Sequence, residues 1–503
     1  MKRTFFKLFL IVVLGLILRF YYYPNDIFFA YDQARDAFIS QKIFSGDLKI
    51  LGPPASTPGL HHGALSYYVF GILYGVFGNN PVLVSLVMRV FNVLGVLILY
   101  RLVKNTLGNK CAIITSIIFA VSFEQSQYSL FLGHPAFAVI TVLLFYFGIA
   151  EFYILKKKRG FWISATAFAL SIQFHISLIM LAFPLLIFSC LAIIKDRVLK
   201  IKDISIGLLL FLMVSSTYLL SELKFNFQNS KAILSVFMGK SEGNFLNLFS
   251  VFFRFIRHNL LNSESLLIMI LLFIMFLFGL ILLIRTDKTK RLGLVLLVWF
   301  ITGVFPYIKD TSVLPIYYYT IGGSISVIIV FSFLISKYIR SKILTILTLL
   351  VIFVSNALLI KNLNKFGTIV EISAQDEVLL KDEIRVLDYM YQQSSGCGYS
   401  VNALTIPYNV KTTWDYLFNW YGIKKYGCVP TWGGWAASGY EGDMSVNTKQ
   451  SELPETRYTI LEPERGMPGS LKEKFIENEN IFWEIRDEVK FGKFTVQKRT
   501  RRI

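Results

Sequence analysis

Tyr31-Asp32-Gln33-Ala34-Arg35-Asp36, followed by Gly52-Pro53-Pro54 and His61-His62-Gly63, is the stretch on which the reading of this chain turns. It is a polar, charged loop held between two strongly apolar segments, 5–22 and 81–100. A helix beginning near Asp32 puts Asp32, Arg35 and Asp36 at i, i+3 and i+4, on one face. Such a face sets a carboxylate able to act as a base beside a cation able to hold a phosphate. By residue type alone, an ion-paired loop that only caps a helix bundle is an equal alternative.

The flanking segments set the class. Of the 503 residues, 54% are hydrophobic and 16% aromatic, and the mean hydropathy is +0.56, far too apolar for a soluble chain of this length. Apolar runs near twenty residues recur, each able to cross roughly 30 Å of hydrocarbon. The net charge of +19 lies in short basic clusters between those runs. That is the pattern of topology signals and argues against nucleic acid as a partner. Met1-Lys2-Arg3 begins an apolar run, but bulky Arg19-Phe20-Tyr21-Tyr22-Tyr23 follows it. An uncleaved first helix is therefore expected rather than a signal peptide.

Working outward, the expected spans are 5–22, 82–103, 111–127, 135–155, 161–174, 176–194, 204–221, 264–284, 292–308, 316–336 and 343–360. Leu65–Phe77 is too short to cross and reads as an interfacial helix. The clusters at 156–159, 195–202, 285–291 and 337–342 mark cytoplasmic turns. The chain thus reads as a polytopic α-helical protein of the plasma membrane with about eleven spans, N-terminus inside. The loop 221–263 contains an amphipathic stretch, Asn247–Leu260, expected to lie in the headgroup region.

Residues 1–365 form the expected membrane domain and 366–503 a small extracytoplasmic α/β domain. In the latter, 373–393 reads as a helix with Ser373 and Asp376 spaced as a capping box. Strands are expected at 399–406, 457–461, 481–485 and 491–497, with a helix at 412–425. The loop Pro430-Thr431-Trp432-Gly433-Gly434-Trp435 has the aromatic and glycine content of a carbohydrate-contacting surface, though a structural loop is the stronger reading. Cys397 and Cys428 are the two cysteines of this domain. An oxidising compartment permits a bond between them, and two free thiols are the alternative. Cys111 and Cys190 lie in spans.

There is no Walker loop, GxGxxG, GxSxG or Cys/His zinc spacing. No cofactor is implied with certainty. A divalent metal on Asp32, Asp36 or Glu124 stays open, since carboxylates alone do not identify one.

From Asp32 onward the chain resembles the membrane glycosyltransferases of the type-C superfold. The resemblance is to the protein O-mannosyltransferase-like branch (glycosyltransferase family 39), which includes lipid A aminoarabinose transferases. It is carried by Asp32-Gln33-Ala34-Arg35, Ser45-Gly46-Asp47, Gly52-Pro53-Pro54 and His62-Gly63-Ala64-Leu65-Ser66-Tyr67-Tyr68. It continues in Tyr128-Ser129-Leu130, His134-Pro135, Gln173-Phe174-His175, Ser221-Glu222-Leu223-Lys224 and Tyr317-Tyr318-Tyr319. The family's usual Asp-Glu is Asp32-Gln33 here, and its Asp-Pro or Asn-Pro is His134-Pro135.

The resemblance implies sugar transfer from a polyprenyl-phosphate donor to a glycan, lipid or protein acceptor on the outer face. Asp32 is the expected base, with Asp36 as its alternative, and Arg35 the expected phosphate ligand. Further substrate contacts are expected from His61, His62, Tyr68, His134, Glu222 and Tyr317. The rival class is a non-enzymatic lipid or polysaccharide transporter. Against it, the acidic residues gather in outer loops rather than in mid-membrane positions.

Overall fold

The computed structural model describes residues 2–238, 246–308, 317–369, 372, 375, 377–394 and 396–502. Its first three helices frame the site. Helix α1 (Lys2–Arg19) is the apolar entry helix, α2 (Tyr31–Ile43) carries Asp32, Arg35 and Asp36, and α3 (Leu65–Val76) packs against α2. Between α2 and α3 runs a small antiparallel ribbon, β1 (Leu51–Pro54) with β2 (His61–Gly63). Gly52 and Gly63 are required there. A Cβ on Gly52 would fall 2.2 Å from the Gly63 carbonyl oxygen, and one on Gly63 would fall 1.8 Å from Gln173 Oε1. The loop after α1 is pinned by a buried pair, Arg89 Nη2 to Asp26 Oδ1 at 2.8 Å.

Among the described residues, five helices are long and apolar enough to cross a membrane: Pro81–Leu107, Pro135–Ile154, Ile176–Ile194, Leu266–Arg285 and Lys342–Phe366. A sixth results if Ile201–Val214 and Ser216–Lys224 are taken together. Those two are bent by 63°, so the straight helix expected over 204–221 is broken. The segment 316–336 likewise opens with a 3-10 turn, Tyr317–Thr320, before the helix Ser324–Tyr338.

The stretch expected at the headgroups differs most. Its helix, Leu246–Arg257, buries Val251, Phe252, Phe255 and Ile256. Phe252 sits edge-on to Phe273 and tilted against Phe276, at centroid distances of 4.9 and 5.3 Å. Its aromatic face thus packs on the neighbouring helices.

The C-terminal part is a sheet domain. Strands β3 (Ser400–Leu404), β4 (Thr431–Trp432), β5 (Thr456–Leu461), β6 (Trp483–Phe491) and β7 (Phe494–Arg501) lie in the order β4-β3-β5-β7-β6. β3 is parallel to β4 and β5, while β5, β7 and β6 run antiparallel. Trp432 is buried while Trp435 is 63% exposed. Cys397 and Cys428 are bonded, with Cα atoms 6.1 Å apart.

The first helix of this domain runs Leu380–Ser394. It starts later than expected because Val378 and Leu379 are used as extended backbone. Phe29 N–H donates to the Val378 carbonyl and Leu380 N–H to the Ile27 carbonyl, at 3.1 and 2.9 Å. The capping pair Ser373 and Asp376 falls outside the described residues. A helix not foreseen, Gly469–Phe482, occupies part of the strand expected at 481–485. It docks through buried Glu479, which accepts from Asn402, Arg457 and Thr459. Cys111 and Cys190 are free.

Candidate active site

Helix α2 delivers the charged face that its sequence spacing suggests. Arg35 donates from Nη1 to Asp32 Oδ1 at 2.7 Å, and from Nε and Nη2 to Asp36 Oδ1 at 2.9 and 2.7 Å. The two carboxylates are unequal. The Asp32 side chain is 64% exposed, that of Asp36 only 6%. Burial pushes the Asp36 carboxyl up to about 6, against the pull of Arg35. Asp32 is therefore placed to meet a substrate and Asp36 to hold the guanidinium.

These residues open on a cavity of about 710 Å³ whose walls come from distant parts of the chain. Its polar lining includes Asp32, Arg35, Asp36, His62, His134 and His175. Its apolar lining includes Ile179, Met180, Ile233, Val236, Phe305 and Pro306. The sheet domain adds Gln375, Ile406 and Pro407. Behind that wall Glu462 accepts the Ile406 backbone N–H and the Trp414 indole N–H, both at 2.9 Å.

The three imidazoles touch. Ring centroids of His62 lie 4.3 Å from His134 and 4.5 Å from His175, and Tyr318 stacks on His175 at 5.8 Å. His62 Nδ1 accepts the Ile176 N–H at 3.1 Å, while His134 Nδ1 donates to the Phe174 carbonyl at 2.6 Å. His175 Nδ1 meets Ser177 Oγ at 2.7 Å. Burial, and for His62 and His175 the neighbouring rings, hold these imidazoles below the usual histidine range. They are neutral near pH 7.

The other expected contacts lie elsewhere. His61 is tied through its backbone, N–H to Asn229 Oδ1 and carbonyl from the Tyr218 hydroxyl. Tyr68 donates to the Lys49 carbonyl, and Glu222 accepts the N–H groups of Asn229 and Ser230. Tyr317 is fully buried, its hydroxyl 2.7 Å from His258 Nδ1. None of these four lines the cavity. In their place stand His175, Tyr318 and Tyr319. Polar and aromatic residues at the ends of apolar runs were their sequence signal.

For a metal, the described residues hold no group of three His, Cys, Asp or Glu side chains arranged to bind one. Arg35 already occupies the space between Asp32 and Asp36. Both oxygens of buried Glu124 are taken by Asn259 and Ser324. The residues do not fit a divalent ion, and no step is derived through one.

Residues 61–221 match the family model described as dolichyl-phosphate-mannose-protein mannosyltransferase. Comparison with curated protein sequences finds no match. Among solved structures, ArnT from Cupriavidus metallidurans bound to undecaprenyl phosphate superimposes with a TM-score of 0.62. The identity is 10%, over 97% of each chain. Its apo state gives 0.59. The apo oligosaccharyltransferase of Archaeoglobus fulgidus gives 0.54 at 13% identity over 77% of this chain. This chain spans 58% of that archaeal protein's length. These likenesses show the fold, and the family match covers the segment that supplies His62, His134 and His175 to the cavity. The chain thus shares the fold of these membrane proteins, and its residues 61–221 match the mannosyltransferase family model.

Proposed function

We propose that the protein moves a sugar from a polyprenyl-phosphate donor to an acceptor hydroxyl at the outer face of the plasma membrane. The observation that carries this reading is the mixed lining of the cavity. It offers a carboxylate, a guanidinium and imidazoles together with a set of aliphatic and aromatic side chains. A prenyl tail loses water contact against the apolar side chains, by roughly 0.8 kcal/mol per buried CH₂. The phosphate and sugar are held by the polar ones. Undecaprenyl phosphate in the Cupriavidus metallidurans ArnT structure supports the same donor class.

Asp32 is the base. The acceptor oxygen attacks the anomeric carbon while Asp32 takes its proton. The bond from that carbon to the phosphate oxygen breaks with its electron pair on the oxygen. Attack opposite the leaving group inverts the anomeric centre. Arg35 holds the phosphate through N–H groups that Lys could not arrange. Asp36 orients Arg35. The acceptor is a glycan, lipid or protein.

Eleven spans, with the N-terminus cytoplasmic and residues 366–503 outside as a separate domain, complete the reading. Thiol labelling of single cysteines near Lys157 and in the sheet domain of sealed cells checks it. Labelling near Lys157 from outside overturns the map. The activity is tested with a radiolabelled polyprenyl-phosphate sugar and an envelope fraction as acceptor. Acceptor-dependent loss of label from the lipid is expected. Passage of intact lipid-linked sugar across proteoliposomes without sugar loss would establish the transporter instead.

A further inference from the structure

We propose that the cluster of His62, His134 and His175 seats the phosphate, and that it tells the phosphodiester donor from the phosphomonoester product by taking up a proton with the product. The inference rests on the donor class proposed above and assigns different tasks to individual ring nitrogens.

The assignment comes from what each Nδ1 meets. A backbone N–H can only donate, so His62 Nδ1, which faces the Ile176 N–H, carries no proton. The neutral ring therefore has its proton on Nε2, as a donor for a phosphate oxygen. A carbonyl can only accept, so His134 Nδ1, which faces the Phe174 carbonyl, carries the proton. Its Nε2 is a bare acceptor, the one position in these two rings where a further proton can be added without breaking a hydrogen bond. His175, held by Ser177, closes the third side.

The charge balance gives the cluster its task. Transfer converts a phosphodiester monoanion into a phosphomonoester that ionises to a dianion. Among the described residues lining the cavity, Arg35 is the sole lysine or arginine, and it is shared between Asp32 and Asp36. Among the described residues, the remaining titratable groups of the cavity and cluster are His61 beside His62, Tyr318 stacked on His175, and Tyr31 and Tyr319 in the wall. None adds a positive charge at rest. Imidazole is the side chain whose charge changes near neutrality, and a dianion beside it raises its proton affinity. A proton on His134 Nε2 then offsets the extra charge of the product, and its loss to solvent accompanies product release.

The test uses full-length protein in lipid nanodiscs with farnesyl phosphate and methyl farnesyl phosphate at pH 8. Titration calorimetry in buffers of differing ionisation enthalpy counts the protons taken up per ligand. About one proton is expected with the monoester and none with the diester. His134→Gln should abolish that uptake. His62→Gln should weaken both esters by a similar factor, roughly tenfold, and leave the uptake in place. The ³¹P shift of bound farnesyl phosphate should be that of the dianion. Equal proton uptake with both esters, uptake unchanged in His134→Gln, or a bound ester that is itself protonated overturns the inference while leaving the donor class intact. Failure of the wild type to bind either ester removes the donor class, and this inference with it.

Discussion

Arg35 gives two of its N–H groups, Nε and Nη2, to the same oxygen of Asp36, at 2.9 and 2.7 Å. Its remaining nitrogen, Nη1, reaches Asp32. The buried carboxylate thus keeps the guanidinium from closing fully on the exposed one.

From this follows the ranking of three variants. Asp32→Asn removes the base and should lower turnover by about 10²–10⁴ with donor binding largely kept. Arg35→Lys should first raise KM for the donor. Asp36→Asn leaves Arg35 to pair with Asp32 alone and should cost roughly tenfold in kcat. Steady-state kinetics on folded protein check the order. Normal turnover in Asp32→Asn with none in Asp36→Asn would exchange the two roles.

The same pair sets a pH dependence. The Asp36 carboxyl, raised to about 6 by burial, is ionised above that pH and protonated below it. As pH falls through about 6, Arg35 loses one carboxylate and kcat/KM should drop. In Asp36→Asn the drop near pH 6 should vanish, whatever the absolute rate. A limb that persists there in the variant belongs to another group.

Gly63 is a geometric requirement. A Cβ there would meet Gln173 Oε1 at 1.8 Å and the Gln173 Cα at 2.6 Å, so backbone as well as side chain stands in the way. Gly63→Ala should push the ribbon carrying His62 off Gln173. Activity should fall at least tenfold by loss of alignment, while the protein still elutes as folded material in detergent. Full activity in this variant means the ribbon does not set the position of His62.

In the sheet domain, Glu383 is buried and neither carboxyl oxygen meets a hydrogen-bond partner among the described residues. Burial, with Glu462 and Asp382 adding to it, holds its carboxyl well above the usual range. A group raised in the folded state contributes stability at low pH that is lost as pH rises. Wild-type Tm should therefore fall between pH 5 and pH 8, and Glu383→Leu should fall less. At pH 8 the variant should be the more stable by about 1–3 kcal/mol. Parallel Tm curves would show that Glu383 does not titrate in this range.

The membrane class, α2, α3 and the charged face of α2 were legible because hydropathy and helical periodicity are local properties. His62, His134 and His175 are far apart in sequence and meet only when strand β2 and two helix ends converge. His175 falls between two apolar runs, and the phase of the Tyr317–Thr320 turn is not readable from the sequence, where the resemblance points to Tyr317. The turn instead sends Tyr317 to His258. The helix Gly469–Phe482 escaped for a different reason. It buries Phe475 and Glu479 alone among its residues, so it has almost no apolar stripe to detect.

The backbone bridge from Phe28 to Leu379 brings the sheet domain against the loop after α1. A glycosyl donor held next to a base in open solvent is a substrate for hydrolysis, because water is a nucleophile at roughly 55 M and outnumbers any acceptor. Gln375, Ile406 and Pro407 line the same cavity as α2, so under the proposed reaction this stitch bears on which nucleophile wins. The first loop supplies Asp32, Arg35, Asp36 and His62, and a polypeptide more than three hundred residues later completes the wall around them.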